Sequence, residues 1–188
     1  LNMVKPELDI HVHSDYDLPW LDMETIRNSL IIANSYSGNT AEIISGAKNA
    51  IEQSLNLVII ASGGELLAMA KEKQIPHVIL PHSELPPRMM LGHDLMAIAE
   101  FIGFDARELE MCRGIDANVL KSTGTQVARQ IGSAIPLIYT SERLNELGYI
   151  WKIILNETAK MPAFHNRFPE ADHNEIAGFQ GDWASGFH

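Results

Sequence analysis

The stretch Ser35-Tyr36-Ser37-Gly38-Asn39-Thr40 gathers hydroxyl side chains around one glycine. Serine and threonine donate hydrogen bonds without carrying charge, and glycine lets the backbone approach a ligand closely, so the chemistry offered is capture of a small anion such as phosphate. A second candidate is Glu157, near the C-terminal end of an expected helix. There a carboxylate meets the negative end of the helix macrodipole, a setting suited to a proton acceptor.

The elements that position these groups are legible around them. Leu30, Ile31, Ile32 and Ala33 form a continuous apolar run, as in a strand covered on both faces of a parallel sheet. After the hydroxyl loop, Ile43, Ile44, Ala47, Ala50 and Ile51 recur at helical spacing, and Glu42 follows Asn39 as in a capping box. The loop therefore sits at a helix N-terminus, whose unpaired N–H groups and positive dipole end accept an anion without lysine. From the loop alone two readings stand: an anion site, or Ser37 or Asn39 as a helix cap with the other hydroxyls facing water.

Over 188 residues the formal net charge is -10, and no Lys or Arg cluster stands out, which speaks against nucleic acid or an anionic membrane surface as partner. A hydrophobic content of 46% with 20% charged residues suits a packed core. The lone cysteine, Cys112, cannot form an intrachain disulfide and fits a reducing compartment. Apolar runs such as Leu57 to Ala61 are far shorter than the roughly 20 residues of a membrane-spanning helix. The chain opens Leu-Asn-Met-Val-Lys-Pro, without an initiator methionine, and is expected to be a piece of a longer polypeptide.

Along the chain, Asp9 to His13 alternates like a short strand, and Trp20 to Asn28 is a weak helix candidate. Asn56 to Ser62 is a second apolar strand handed to a helix by Gly63-Gly64, and His77 to Leu80 is a third. A long helix is expected from Arg88 to Phe104. Asp105 to Thr125 reads as a connecting segment, followed by a helix to Gly132, a strand at Ile135 to Thr140, and a helix from Ser141 to Lys160. After Pro162 an irregular polar stretch is expected, leaving one strand and its helix in this half. Short apolar strands alternating with helices predict an α/β fold, a parallel sheet flanked by helices.

Five motifs occur in register: Ser-Tyr-Ser-Gly-Asn-Thr, Ala-Ser-Gly-Gly-Glu-Leu, Pro-Pro-Arg, Leu-Asn-Glu-Thr-Ala-Lys-Met-Pro-Ala-Phe and His-Asn-Glu-Ile-Ala-Gly. In that order they resemble the bifunctional phosphoglucose/phosphomannose isomerases, a family of two flavodoxin-like sugar-isomerase (SIS) domains. The resemblance runs nearly end to end. It implies a first SIS domain at residues 1–110, a connector at 111–124 and the start of a second SIS domain at 125–188, both domains incomplete. The family's early glycine- and serine-rich loop and its late lysine have no counterpart here.

The resemblance also implies roles. Ser35, Ser37 and Thr40 match the phosphate-binding loop, and Arg88 matches the arginine beside the enediolate, where a fixed cationic fork stabilises charge developing in the transition state. Glu157 matches the base that moves a proton between C1 and C2 of the open-chain sugar, and His173 the group that opens the ring. In the family this histidine comes from the neighbouring subunit, which implies a homodimer. Read without the family, Glu157 is a solvated glutamate and His173 a bystander, as are His82 and His165, whereas Arg88 as a mere surface charge at a helix start is disfavoured by the macrodipole, which favours a role for it.

The expected activity is therefore aldose-ketose isomerisation in the cytoplasm. Glucose 6-phosphate or mannose 6-phosphate would interconvert with fructose 6-phosphate through a cis-enediol, with neither an organic cofactor nor a metal required. The alternative is a non-catalytic SIS module that binds phosphosugars and regulates.

Overall fold

The computed structural model describes residues 7–105, 107 and 113–179. It divides into two compact units, Leu1–Leu109 and Glu110–His188. Residues 111–112 of the expected connector, with Cys112, and 180–188 of the expected second domain lie outside the described residues.

The first unit is a three-stranded parallel sheet with spatial order β1-β2-β3: β1 is Ile31–Asn34, β2 is Leu57–Ala61 and β3 is His77–Ile79. Its helices are α1 (Met23–Asn28), α2 (Ala41–Glu52), α3 (Gly64–Glu72) and α4 (Leu91–Phe101). The central strand β2 is buried along its whole length, which is why it reads as an uninterrupted apolar run. Alternate β2 residues serve opposite layers. Leu57, Ile59 and Ala61 pack with Ala47 and Ala50 of α2 and with Leu66, Leu67 and Ala70 of α3. Ile60 instead packs with Leu80 and with Ala97 of α4. Full burial of Ile59 and Ile60 stabilises the unit by about 1.5–3 kcal/mol for each side chain.

Two expectations change in this unit. The alternation at Asp9 to His13 forms no strand: the segment is irregular, Val12 is almost fully exposed, and Asp9 bonds His11 at 3.1 Å. Arg88 does not start a long helix but sits in a separate 3-10 turn, Pro87–Met89, before α4. Pro87 at the first position of that turn favours a tight start, and Met90 is buried behind it.

The second unit opens with α5 (Ala117–Ile131), so helix already occupies much of the segment expected to be a connector. Asp116 caps it, accepting from the Asn118 and Val119 amides at 2.8 and 3.4 Å. Then follow β4 (Leu137–Ser141), a 3-10 turn (Glu142–Leu144), α6 (Asn145–Ile154), a π-helical turn (Leu155–Ala159) and β5 (Phe164–Phe168). The unit ends in α7 (Glu170–His173) and α8 (Glu175–Gly178). β5 pairs parallel to β4, which corrects the expectation of a lone strand followed by irregular chain. Phe-His-Asn-Arg-Phe does not read as a strand because it is only partly covered, with Phe164 and Arg167 exposed, and lacks an apolar run. Helix α6 packs on both strands so closely that a Cβ on Gly148 would lie 2.3 Å from His165 Nε2. His165 Nε2 is also 3.0 Å from Thr140 Oγ1, a structural placement for this histidine.

Among the described residues no helix is long and apolar enough to cross a membrane, and no group of three or more His, Cys, Asp or Glu side chains gathers as a metal site.

Candidate functional site

The hydroxyl loop links the carboxyl end of β1 to α2, as expected. Ser35 still belongs to the sheet ladder, its amide donating to the Ile60 carbonyl at 3.0 Å. Its side chain is buried, and Ser35 Oγ lies 2.7 Å from Thr40 Oγ1, so the buried hydroxyl steadies the exposed one. Ser37 is exposed and its Oγ accepts from the Asn39 amide at 3.2 Å. The structure thus brings Ser35 and Thr40 into direct contact, while Ser37 and Thr40 are the exposed hydroxyl residues of the loop.

The loop is locked by its neighbour. Gly38 (φ +68°) and Gly64 (φ +70°) both occupy the left-handed region and press backbone against backbone. A Cβ on Gly38 would fall 1.9 Å from the Gly63 carbonyl oxygen, and one on Gly64 2.4 Å from that of Ser37. The Leu66 amide donates to Gly38 O at 3.0 Å, and Ser62 donates through N and Oγ to Tyr36 O at 2.8 and 2.6 Å. The two glycine-bearing loops therefore meet at the carboxyl ends of β1 and β2, the position where open α/β sheets bind ligands.

The capping pattern differs from the expected one. Asn39 does not cap α2; its Oδ1 accepts from the Glu65 amide at 3.0 Å and caps the neighbouring helix α3, whose own N-cap residue is Gly63. A salt bridge of 2.8 Å between Lys48 and Glu65 ties the same two helices. The N-cap of α2 is Thr40, which makes no side-chain cap bond. Since Asn39 serves α3, the first turn of α2 lacks a side-chain cap beneath two exposed hydroxyl residues, a site chemically suited to an oxyanion.

Tyr36, in the same loop, reaches toward the segment carrying Arg88. Its hydroxyl donates to Pro81 O at 3.1 Å and accepts from the Ser83 amide at 2.9 Å. Arg88 itself is half-buried in the following 3-10 turn. Beside β1, burial pushes the Asp94 carboxyl above the ordinary carboxylate range, opposed by the Asn34 side chain and by His93. Asn34 and Asp94 each keep one buried side-chain oxygen without a partner.

In the second unit, Glu157 stands exposed on the π-helical turn that continues α6. Such turns are rare and recur at functional sites. Lys160, at φ +56°, ends the turn. The preceding residue fixes the turn: Asn156 Nδ2 donates to Met161 O at 3.0 Å and Ala163 O at 3.4 Å, tying it to the approach to β5. His173 is the exposed last residue of α7, whose Ala171 is fully buried. Asn174 bonds back to Glu170 at 3.1 Å. Glu157 and His173 lie on separate turns, and neither lines a cavity of about 190 Å³ in this unit, which is bordered by Tyr139, Lys152, His165, Asn166 and Glu175 among others.

Sequence reasoning missed Asn39 as a cap in trans, Asn156 as a clamp and Glu175 as a carboxylate bonded to both strands of the second sheet. All three stand inside quoted motifs. What each one bonds depends on chain segments brought together only by folding.

Comparison with known proteins agrees with this architecture. Residues 120–186 match the family described as "Bacterial phospho-glucose isomerase C-terminal SIS domain". A bifunctional phosphoglucose/phosphomannose isomerase of Aquifex aeolicus is 34% identical over 172 residues, covering 89% of this chain and 52% of its own length. A D-glucosamine-6-phosphate 4-epimerase of Sulfolobus acidocaldarius is 34% identical over 153 residues, 78% of this chain and 49% of its own. The chain thus spans about half the length of the curated relatives it matches. A solved structure from Clostridium difficile 630 aligns with TM-score 0.62 at 16% identity, covering 96% of this chain and 58% of that one, a likeness of fold.

Proposed function

We propose, on the premise that the chain is related by sequence to the bifunctional phosphoglucose/phosphomannose isomerases along most of its length, that it is part of a phosphosugar aldose-ketose isomerase. Its substrates are glucose 6-phosphate or mannose 6-phosphate, interconverted with fructose 6-phosphate. The observation that carries this reading is the α2 N-terminus, left without a side-chain cap beneath Ser37 and Thr40 because Asn39 is committed to α3. A sugar phosphate has the dianionic group that such a terminus accepts.

In the proposed reaction the phosphate anchors at the α2 terminus, with Ser37 and Thr40 donating and Ser35 holding Thr40. His173 moves a proton between ring oxygen and anomeric hydroxyl, opening the ring. Glu157 then removes the proton from C2 of the aldose and returns it to C1, while a proton passes from O2 to O1, giving the ketose through a cis-enediol. Arg88 offers a guanidinium to the enediolate oxygens. The exposure of His173 suits its donation to a second copy, so the proposed enzyme is a homodimer, and its proposed compartment is the cytoplasm.

A second reading has its own support. The anion site is built wholly within the first unit, so a phosphosugar-binding regulatory module could use it with no part for Glu157 or His173. The test is fructose 6-phosphate binding and conversion by the wild type, Ser37→Ala and Glu157→Gln. The isomerase reading expects Ser37→Ala to weaken binding and Glu157→Gln to abolish turnover with binding kept. Binding by the wild type with no conversion favours the regulatory module.

A further inference from the structure

Of the His173-Asn174-Glu175 motif the proposed chemistry uses only the histidine. Glu175 opens α8 directly after the turn bearing His173 and Asn174, and its carboxylate reaches the second sheet. Tyr139 of β4 donates its hydroxyl to Glu175 Oε2 at 2.6 Å, and Asn166 of β5 donates its Nδ2 to Glu175 Oε1. Tyr139 and Asn166 are register partners across the parallel pair, so they present donors side by side on one face. Each strand satisfies one carboxylate oxygen.

The other end of α8 is seated on the same tyrosine. The Phe179 ring stands edge-on to Tyr139, with centroids 6.4 Å apart, and Phe168 of β5 lies 5.5 Å from Tyr139 on a tilted ring. Asn174 bonds Glu170 at 3.1 Å, joining α7 to the same assembly. Without these ties two helices of four residues each would hold little structure of their own.

We propose that Glu175 is a positioning residue, which fixes the His173-bearing turn on the second sheet through Tyr139 and Asn166. This rests on the reading of His173 as the ring-opening group, but the anchoring can be measured without that reading. Glutamine at this position keeps both bonds, its Oε1 accepting from Asn166 and its Nε2 donating to the Tyr139 oxygen. Alanine removes both. The Tyr139 phenol is pushed up to about 12, chiefly by burial and then by the bond to Glu175 and its charge, so it remains a donor through the neutral range.

The experiment is amide hydrogen exchange on the full chain for the wild type, Glu175→Ala, Glu175→Gln and Tyr139→Phe, with fructose 6-phosphate turnover measured on the same samples. Expected in Glu175→Ala is exchange faster by about tenfold or more over residues 170–179, with α6 and the strands unchanged, and return to the wild-type pattern in Glu175→Gln. Tyr139→Phe should fall between them. Turnover should follow the exchange pattern, kcat falling in Glu175→Ala with KM held and recovering in Glu175→Gln.

A wild type without turnover but with this exchange pattern would sink the isomerase reading and keep the anchor. Unchanged exchange in Glu175→Ala would overturn the anchor. So would exchange raised evenly through the second unit, which marks general destabilisation. Loss of turnover in Glu175→Gln with exchange intact would also overturn it, by making the carboxylate itself a reactant.

Discussion

Replacing Gly38 by alanine attacks the contact that shapes the candidate anion site. The added methyl would enter at φ +68° and 1.9 Å from the Gly63 carbonyl oxygen, with the Gly63 carbon at 2.9 Å and the Gly64 Cα at 3.3 Å. The left-handed conformation costs a non-glycine residue about 1–2 kcal/mol. Those obstacles are backbone atoms rather than a side chain that can swing aside, and forcing the loops apart adds about 1–3 kcal/mol. The first unit should therefore lose about 2–5 kcal/mol of stability, read as an earlier urea midpoint with an unchanged slope. The Leu66 amide would draw away from Gly38 O and the Glu65 amide from Asn39, so fructose 6-phosphate affinity should fall about tenfold or more. Gly64→Ala strains the same interface from the other side, its methyl 2.4 Å from Ser37 O. Once the loops have parted, the second methyl meets less resistance, so the double variant should lose clearly less than the sum of the singles. Unfolding and calorimetric titration of the three variants check this. A Gly38→Ala protein with wild-type stability and affinity, or strictly additive losses, would refute the argument that the two loops are locked backbone to backbone.

Three further outcomes follow from particular side chains. The folded-state pKa of Asp94 lies above its ordinary value of 3.8, so the unfolded chain gives up that proton first and the group's contribution to stability, full below 3.8, is lost as pH rises through the folded value. Asp94→Asn should therefore stabilise the first unit against urea at pH 7 relative to the wild type, and the gain should shrink toward pH 4; a gain independent of pH would contradict this. Tyr139 should titrate near 12 by ultraviolet phenolate absorbance, against 10.0 for a free phenol, and Glu175→Gln should bring it down by removing the charge while burial remains. Because that value is raised, the stability Tyr139 contributes is present below pH 10 and is lost as pH climbs through about 12. Asn156→Ala frees the π-helical turn from Met161 O and Ala163 O, and should lower fructose 6-phosphate turnover about tenfold while leaving KM near the wild-type value, as steady-state kinetics would read.

The parts legible in the sequence are those whose environment is uniform along the chain. β1 and β2 stand out because layers on both faces demand apolar side chains at successive positions, and α2 because one face is buried and the other wet. β5 was hidden because a partly exposed strand tolerates Phe-His-Asn-Arg-Phe. Conversely, Asp9 to His13 alternates as a strand should but pairs with none among the described residues. The start of α5 is hard to read because its residues are almost all exposed, although Asp116 followed by Ala-Asn-Val is a readable cap. In the candidate site, the hydroxyls and Gly38 were readable because a strand–loop–helix junction is local. Asn39 reads as a local cap and acts on α3 instead, because β1 and β2 are adjacent and bring their loops together. Glu175 gives no such signal, since its two donors lie on β4 and β5 and are brought together only by the pairing of those strands.

The measurement that bears most directly on the proposed function is fructose 6-phosphate conversion in deuterium oxide, followed by NMR on the products. Isomerisation through a cis-enediol exchanges the migrating proton with solvent at the base. The wild type should yield glucose 6-phosphate or mannose 6-phosphate carrying deuterium at C2, and Glu157→Gln should yield neither while still binding fructose 6-phosphate. A wild type that binds fructose 6-phosphate and forms no aldose would contradict the isomerase and leave a phosphosugar-binding module in its place, and an aldose free of deuterium would contradict proton exchange at the base.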